Sequence, residues 1–161
     1  MNKAVLFSKA SDEWSTPQAF WDELDDEFQF TLDAAATQEN KKILLYCGPD
    51  RTDGLHDALT VDWVCQSEAK YGGTIWCNPP YSRCREFIAK AANEANCGAT
   101  VVCLVPSRTD TRWWHEYVWD QTKHQPRAGV EVRFLRGRLK FVGATNSAPF
   151  PSVVIIFRWP Q

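Results

Sequence analysis

The sequence predicts a three-layer α/β fold with a mostly parallel sheet and a C-terminal antiparallel β-hairpin. Three observations carry that expectation. Residues 73–105 read as strand, helix and strand in succession, the signature of a parallel unit. The second of these strands is a continuous apolar run, Ala99-Thr100-Val101-Val102-Cys103-Leu104-Val105, of the kind covered on both faces. Three further β segments follow at 130–135, 138–142 and 152–157, with Arg136-Gly137 suited to a tight turn between the first two. At 161 residues and 44% hydrophobic, the chain is long enough for one core and reads as a single domain over 1–161.

Taken in order, residues 1–13 carry little pattern and are expected to form an extended arm. Thr16 is placed to cap a helix with Pro17 at its first position. The helix runs to about Glu27 and shows Phe20, Trp21, Leu24 and Phe28 at helical spacing. Its last turn is acidic, against the macrodipole, and nothing local in the sequence accounts for that. Phe28 to Asp33 alternates as a strand does and runs into Ala34-Ala35-Ala36. Ile43 to Cys47 is expected as a short strand, 48–54 as a turn cluster, and 59–64 as either a strand or a loop anchored by Trp63. Gly73 to Cys77 is a buried strand. Arg83 to Asn96 is a helix with Phe87, Ile88, Ala91, Ala92 and Ala95 inward and Gly98 as its stop. After the strand ended by Pro106 come a polar loop at 107–111, a helix from Arg112 to Gln121, and a basic loop at 123–129.

Bulk properties narrow the function classes. Apolar runs of about five residues are far below the roughly 20 that span a bilayer, and no signal segment opens the chain, so a cytoplasmic protein is expected. Cys47, Cys65, Cys77, Cys84, Cys97 and Cys103 form no C-x-x-C pair, which argues for free thiols and against a metal site. Net charge is −2, yet unevenly spread: nine acidic residues and no Lys or Arg lie between Ala10 and Asn40. Six basic residues (Lys123, Arg127, Arg133, Arg136, Arg138, Lys140) face Glu131 alone between 123 and 140. Such polarity lets a polyanion meet one face and not the other.

The most informative stretch is Trp76-Cys77-Asn78-Pro79-Pro80-Tyr81. Pro79 and Pro80 hold the residues before them extended and donate no N–H, giving a stiff bend at a strand's carboxyl end. The bend gathers the Asn78 amide oxygen, the Pro79 carbonyl and the Tyr81 ring. An aromatic amine is a poor nucleophile because its lone pair is delocalised. Two acceptors on its hydrogens favour a tetrahedral nitrogen and stabilise the positive charge that develops during attack. Cys77 is expected to face the core and to play no nucleophilic part.

Those residues lie within six blocks in order: Trp14-Ser15-Thr16-Pro17, Phe30 to Ala36, Trp76 to Tyr81, Val105 to Thr111 with Trp113-Trp114, Phe134 to Phe141, and Ala148 to Ser152. Together, from Trp14 to Phe157, they resemble the S-adenosylmethionine-dependent amino-methyltransferases, and within them the phage-type DNA adenine methyltransferases of the Dam family. The resemblance implies a Rossmann-like methyltransferase fold acting on double-stranded DNA, with no metal and no covalent intermediate. It implies that Asn78, Pro79, Pro80 and Tyr81 hold and stack a flipped adenine, with Phe141 on its other face. Trp14, Thr16, Pro17, Asp33, Ala34 and Ala35 would line the methyl-donor pocket, with either Asp53 or Asp62 near the donor's ribose or adenine. Arg108, Arg136, Arg138 and Lys140, with Arg127 and Arg133, would meet phosphates. Asp33-Ala34-Ala35-Ala36 stands where the wider superfamily carries a glycine-rich F-x-G-x-G loop, a departure that the small phage members resemble. Similar Asn-Pro-Pro-Tyr segments occur in RNA and protein-glutamine amino-methyltransferases, so both alternatives stay open, as does a non-catalytic DNA-binding module.

Overall fold

Strands that are apolar on both faces need a covering layer on each. A computed structural model describes residues 14–67 and 73–159; the arm expected over 1–13 lies outside them. A five-stranded sheet is formed by β1 (Leu32–Asp33), β2 (Thr74–Cys77), β3 (Thr100–Pro106), β6 (Val130–Phe134) and β7 (Ser152–Phe157), in the spatial order β1-β2-β3-β7-β6. The pairings β1–β2 and β2–β3 are parallel, whereas β7 is antiparallel to both β3 and β6. Only β7 therefore runs against the other four strands. A separate two-stranded antiparallel ribbon joins β4 (Trp119–Asp120) to β5 (Gln125–Pro126).

Alternation along the strands builds two cores. Ile75, Cys77, Val101, Cys103, Val105, Val153, Ile155 and Phe157 face one side, where α3 (Cys84–Asn96) contributes Phe87, Ile88, Ala91 and Ala95. Trp76, Val102, Leu104, Val154 and Ile156 face the other, covered by Trp21 and Leu24 of α1 (Gln18–Phe28) with Phe30 and Phe141. The result is helix, sheet, helix. Each buried Leu, Ile, Val or Phe side chain is worth roughly 1.5–3 kcal/mol relative to exposure, so neither layer is dispensable. Gly98, at φ +106°, ends α3 in a conformation that suits glycine. No helix among the described residues is long and apolar enough to cross a membrane.

Several elements differ from expectation, each for an identifiable reason. α1 runs through Phe28, and Gln29 turns into the left-handed region at φ 53°, so the expected strand from Phe28 shrinks to Leu32–Asp33. Thr16 does not cap α1. Pro17 holds the cap position with its carbonyl accepting the Trp21 N–H (3.1 Å). The acidic last turn now has its partners: the Asp25 carboxylate accepts the Phe30 N–H (2.8 Å), and Glu27 receives both arms of the Arg133 guanidinium (2.6 and 2.7 Å). Tertiary pairing overrides the unfavourable dipole.

Residues 43–47 form no strand beyond one parallel bridge from Tyr46 to Asp33, and Leu44 is exposed. Over 59–64 the loop reading holds: Asp62 caps the short helix α2 (Trp63–Gln66) by accepting the Cys65 N–H (2.8 Å). Trp63 is fully buried and its indole N–H donates to the Ala58 carbonyl (2.8 Å). The buried Glu94 carboxylate accepts the Val64 N–H (3.0 Å) and pairs with Lys90, tying α2 to α3.

Toward the C-terminus, the expected helix starts at Arg112 as read, continues as a π-helical turn over Trp114–Val118 and stops there short of 121, because Trp119–Asp120 pair with β5 inside the expected basic loop. The expected strand at 138–142 is absent, and with it the hairpin turn at Arg136-Gly137. Phe141 instead sinks into the α1-side core, the Val142 N–H donates to the Ser15 carbonyl (2.9 Å), and the Ala148 N–H donates to the Leu139 carbonyl (2.8 Å). Burial of Phe141 outcompetes a ladder, and the antiparallel partner of β6 is β7, across residues 135–151.

Replacing Trp63 with Phe keeps most of the ring volume but strands the Ala58 carbonyl in the core. The expected loss is about 1–3 kcal/mol of unfolding free energy, measurable by urea denaturation; an unchanged midpoint would remove Trp63 as the anchor of this connection.

Candidate functional site

Parallel neighbours end on the same edge of a sheet, and ligands bind beyond the carboxyl ends of such strands. Here that edge receives Asp33 from β1 and Asn78 from the residue after β2, because Leu32 pairs with Ile75 and Asp33 with Trp76. Pro79 and Pro80 carry the chain from β2 into a 3₁₀ turn over Tyr81–Arg83, where the Pro80 carbonyl accepts the Arg83 N–H (2.9 Å), and α3 follows.

Two clefts open at this edge, with Trp14 lining both. The first encloses about 830 Å³ of space counting its open mouth. Its walls include Trp14, Thr16, Asp33, Ala35, Asn40, Lys42, Gly48, His56, Asp57, Asn78 and Pro80. The second is lined by Trp14, Tyr81, Arg108, Trp113 and Phe150, among others. Consecutive residues of the 78–81 bend thus face different spaces, Asn78 and Pro80 the first and Tyr81 the second.

Asn78 has a fixed orientation. Its Nδ2 donates to the Trp14 carbonyl and to Thr16 Oγ1 (3.1 Å). A backbone carbonyl can only accept, so nitrogen and not oxygen must face it. Asn78 Oδ1 is left buried with no hydrogen-bond partner among the described residues. Such an acceptor costs about 1–3 kcal/mol unless something donates to it, and in native structures these exceptions concentrate where function needs them. The Tyr81 hydroxyl is likewise buried without a partner among the described residues, and burial pushes its pKa up.

Asp33 is the charged element of the first cleft. Burial pushes its carboxyl up to about 6, partly offset by the backbone N–H groups of Lys42 (3.0 Å) and Ala35 (3.4 Å). The Lys42 ammonium donates to Gln18 Oε1 (2.8 Å), and burial lowers its pKa. Gly48 permits a close backbone crossing: a Cβ there would lie 1.7 Å from the Ala36 carbonyl oxygen. Cys77 faces the α3-side core, and burial beside Cys103 raises its thiol pKa well above the usual range, which keeps it protonated and inert.

The rings form a cage. Trp14 and Tyr81 lie 16° from parallel with centroids 6.4 Å apart, and Phe150 meets each edge-on at 5.5 and 5.4 Å. Phe141 stands 5.1 Å from Trp14 but is only 2% exposed and lines neither cleft, so it supports the cage where a substrate-facing ring was expected. Phe150, half-buried, lines the second cleft instead.

Of the other residues singled out, Ala34 is fully buried, Pro79 is buried, and neither they nor Pro17 line a cleft. Asp53 pairs with Arg51 and accepts the Leu55 N–H, while Asp62 caps α2; both stand outside the clefts. Between the two motifs, the acidic residue that lines the first cleft along with Asp33 is Asp57, beside His56. Asn40, Lys42, His56 and Asp57 come from the least readable stretch, where none of the expected elements or candidate residues includes them. Arg133 is committed to Glu27 and Glu131, and Arg127 to the His115 carbonyl. Arg108, Arg136, Arg138 and Lys140 are exposed, with Arg138 reaching the Ala148 carbonyl at 3.4 Å. No cluster of His, Cys, Asp and Glu suited to a metal ion occurs among the described residues.

The family model described as DNA N-6-adenine-methyltransferase (Dam) matches residues 3–159. Over 117 residues the chain is 28% identical to a DNA N-6-adenine-methyltransferase of Haemophilus phage HP1, covering 71% of this chain and 61% of that relative. Over 106 residues it is 30% identical to a DNA N-6-adenine-methyltransferase of Escherichia phage T1, covering 65% of this chain and 40% of that one. The matched stretches therefore span less than two thirds of either relative's length.

Two expectations follow from this geometry. Asp33 moves from an ordinary 3.8 to about 6, so the folded state holds its proton more tightly than the unfolded chain. Its contribution to stability is fully present below about 3.8 and lost as pH rises through about 6, in all about 3 kcal/mol. Asp33→Asn should flatten that fall, seen as a difference from wild type that grows between pH 4 and 7.5 in chemical denaturation; parallel profiles would refute it. Gly48→Ala, forced against backbone rather than a movable side chain, should cost about 1–3 kcal/mol by the same measurement.

Proposed function

This chain belongs to the Dam family of DNA N-6-adenine-methyltransferases, and from that membership we propose that it methylates the exocyclic amino nitrogen of adenine in double-stranded DNA. We take S-adenosylmethionine as the donor and a Rossmann-like methyltransferase fold, built as a single domain in the cytoplasm, as the scaffold. The observation that carries the proposal is the Asn78 amide oxygen: buried, unpartnered among the described residues, and held on the functional edge of the sheet by its own nitrogen. An acceptor so placed awaits an N–H donor.

The residues of the first cleft suit the donor. Asp33, poised to ionise near neutral pH, offers a negative charge to a cationic ligand, and Asp57, Asn40 and Lys42 supply polar partners for its ribose and amino-acid ends. When bound, S-adenosylmethionine supplies an electrophilic methyl group on a sulfonium. Adenine, turned out of the duplex, enters the second cleft. There the Trp14 and Tyr81 rings, 16° from parallel with centroids 6.4 Å apart, offer flat faces to a base. In this reading Trp14 is the second aromatic surface beside the base, with Phe150 edge-on to both rings.

Asn78 Oδ1, on the wall of the first cleft, accepts one amino hydrogen of a base whose amino group reaches from the second cleft toward the first, and the Pro79 carbonyl of the same bend is assigned the other. This withdraws the nitrogen lone pair from the ring system and stabilises the charge that develops on nitrogen. No side chain is required as general base, since the extra proton can leave to water after transfer. Arg108, at the mouth of the second cleft, with Arg136, Arg138 and Lys140 engages phosphates; Arg133 is held by Glu27 and Glu131, and Arg127, though exposed, is oriented by the His115 carbonyl.

The test is transfer of label from S-adenosylmethionine to unmethylated duplex DNA, followed by nucleoside digestion. Wild type should yield N6-methyladenine, and Asn78→Ala should lower kcat by about 10²–10³ while donor binding persists. Donor binding without label on DNA would transfer the reading to RNA or protein amides. Absence of donor binding would remove the enzyme reading altogether.

A further inference from the structure

We propose that Thr16 is a positioning residue for Asn78: its hydroxyl, with the Trp14 carbonyl, locks the amide so that Oδ1 faces the substrate nitrogen. The inference rests on the reading of Asn78 given above and assigns Thr16 a role other than donor contact.

An asparagine χ2 torsion is broad and nearly two-fold, so one hydrogen bond leaves the amide free to swing. Here both Nδ2 hydrogens are used, one on the Trp14 carbonyl and one on Thr16 Oγ1 at 3.1 Å. A flipped amide would set oxygen against the Trp14 carbonyl, two acceptors with no proton between them. Thr16 is 2% exposed, so water does not readily substitute for its hydroxyl. The segment that bears both acceptors is itself clamped. On one side the Pro17 carbonyl starts α1 by accepting the Trp21 N–H (3.1 Å); on the other the Ser15 carbonyl accepts the Val142 N–H (2.9 Å). The lock joins residues 62 apart in sequence, and α1 and the 141–142 loop give it a rigid base.

The rival role is direct contact with the donor, since Thr16 also lines the first cleft. The two are separated by Thr16→Val, nearly isosteric but unable to accept, and Thr16→Ser, which keeps the oxygen. The side-chain amide protons of Asn78, identified by their loss in Asn78→Ala, report the lock by NMR without donor or DNA. In Thr16→Val they should shift and exchange faster with solvent, while kcat falls roughly three- to tenfold and donor Kd and KM for DNA stay within about twofold. Thr16→Ser should restore both the amide signals and kcat. Unchanged amide signals in Thr16→Val, loss of donor affinity matching the loss of kcat, or failure of Ser to restore them would each overturn the proposal. If wild type itself methylates no adenine, the catalytic reading fails and the amide signals alone decide the lock.

Discussion

The functional edge depends on a very short piece of parallel ladder. β1 is two residues long, yet Leu32 is fully buried, Asp33 nearly so, and the flanking backbone extends the pairing: the Thr31 N–H donates to the Thr74 carbonyl and the Ala34 N–H to the Trp76 carbonyl, both at 2.8 Å. Those rungs place the end of β1 beside the end of β2. On its free side, Asp33 receives the Cys47 N–H and gives its own N–H to Leu45, so a segment that never becomes a strand still acts as the next rung. Remove the pairing and Asp33, Gly48 and Asn78 no longer share a cavity.

Around that edge the chain divides labour between neighbouring residues. Within one bend, Asn78 addresses the first cleft and Tyr81 the second, because the two prolines fix the intervening backbone. Trp14 serves both clefts with its ring and the Asn78 amide with its carbonyl. The cations are sorted in the same way. Arg133 is fixed between Glu27 and Glu131, so its charge shapes the protein, whereas Arg108, Arg127, Arg136 and Lys140 remain exposed. Charge asymmetry along the sequence therefore overstates the surface available to a polyanion.

What could be read from sequence was whatever rested on local periodicity or stiff residues. β2, β3, β7 and α3 follow from apolar runs and a glycine stop, and the Asn78-Pro79-Pro80-Tyr81 bend from proline geometry. The failures have one source: contacts between distant residues that override local preference. Phe141 alternates like a strand residue but is drawn into a core, so the strand and turn drawn around it vanish. Thr16 looks like a cap, yet its oxygen is already committed to an amide in another part of the chain. Asp57 and His56 reach the first cleft through a connection organised by Trp63 and Glu94, which leaves no pattern in the sequence beyond a turn.

The ion pairs at the margin of the sheet have a further consequence. β6 is an outermost strand, and on its α1-facing side Glu131 and Arg133 lie two residues apart, tied to Arg158 and Glu27 in a chain of charges. Arg133 also lies over the Phe28 ring at 5.3 Å. Outermost strands invite pairing with the backbone of another molecule. A foreign strand docking here would have to set its side chains against a charged network whose members already satisfy one another, with nothing to gain and hydration to lose. The same contacts that close the end of α1 thus act as a guard against edge-to-edge aggregation, at the one margin of the sheet where Phe134 lies open to solvent.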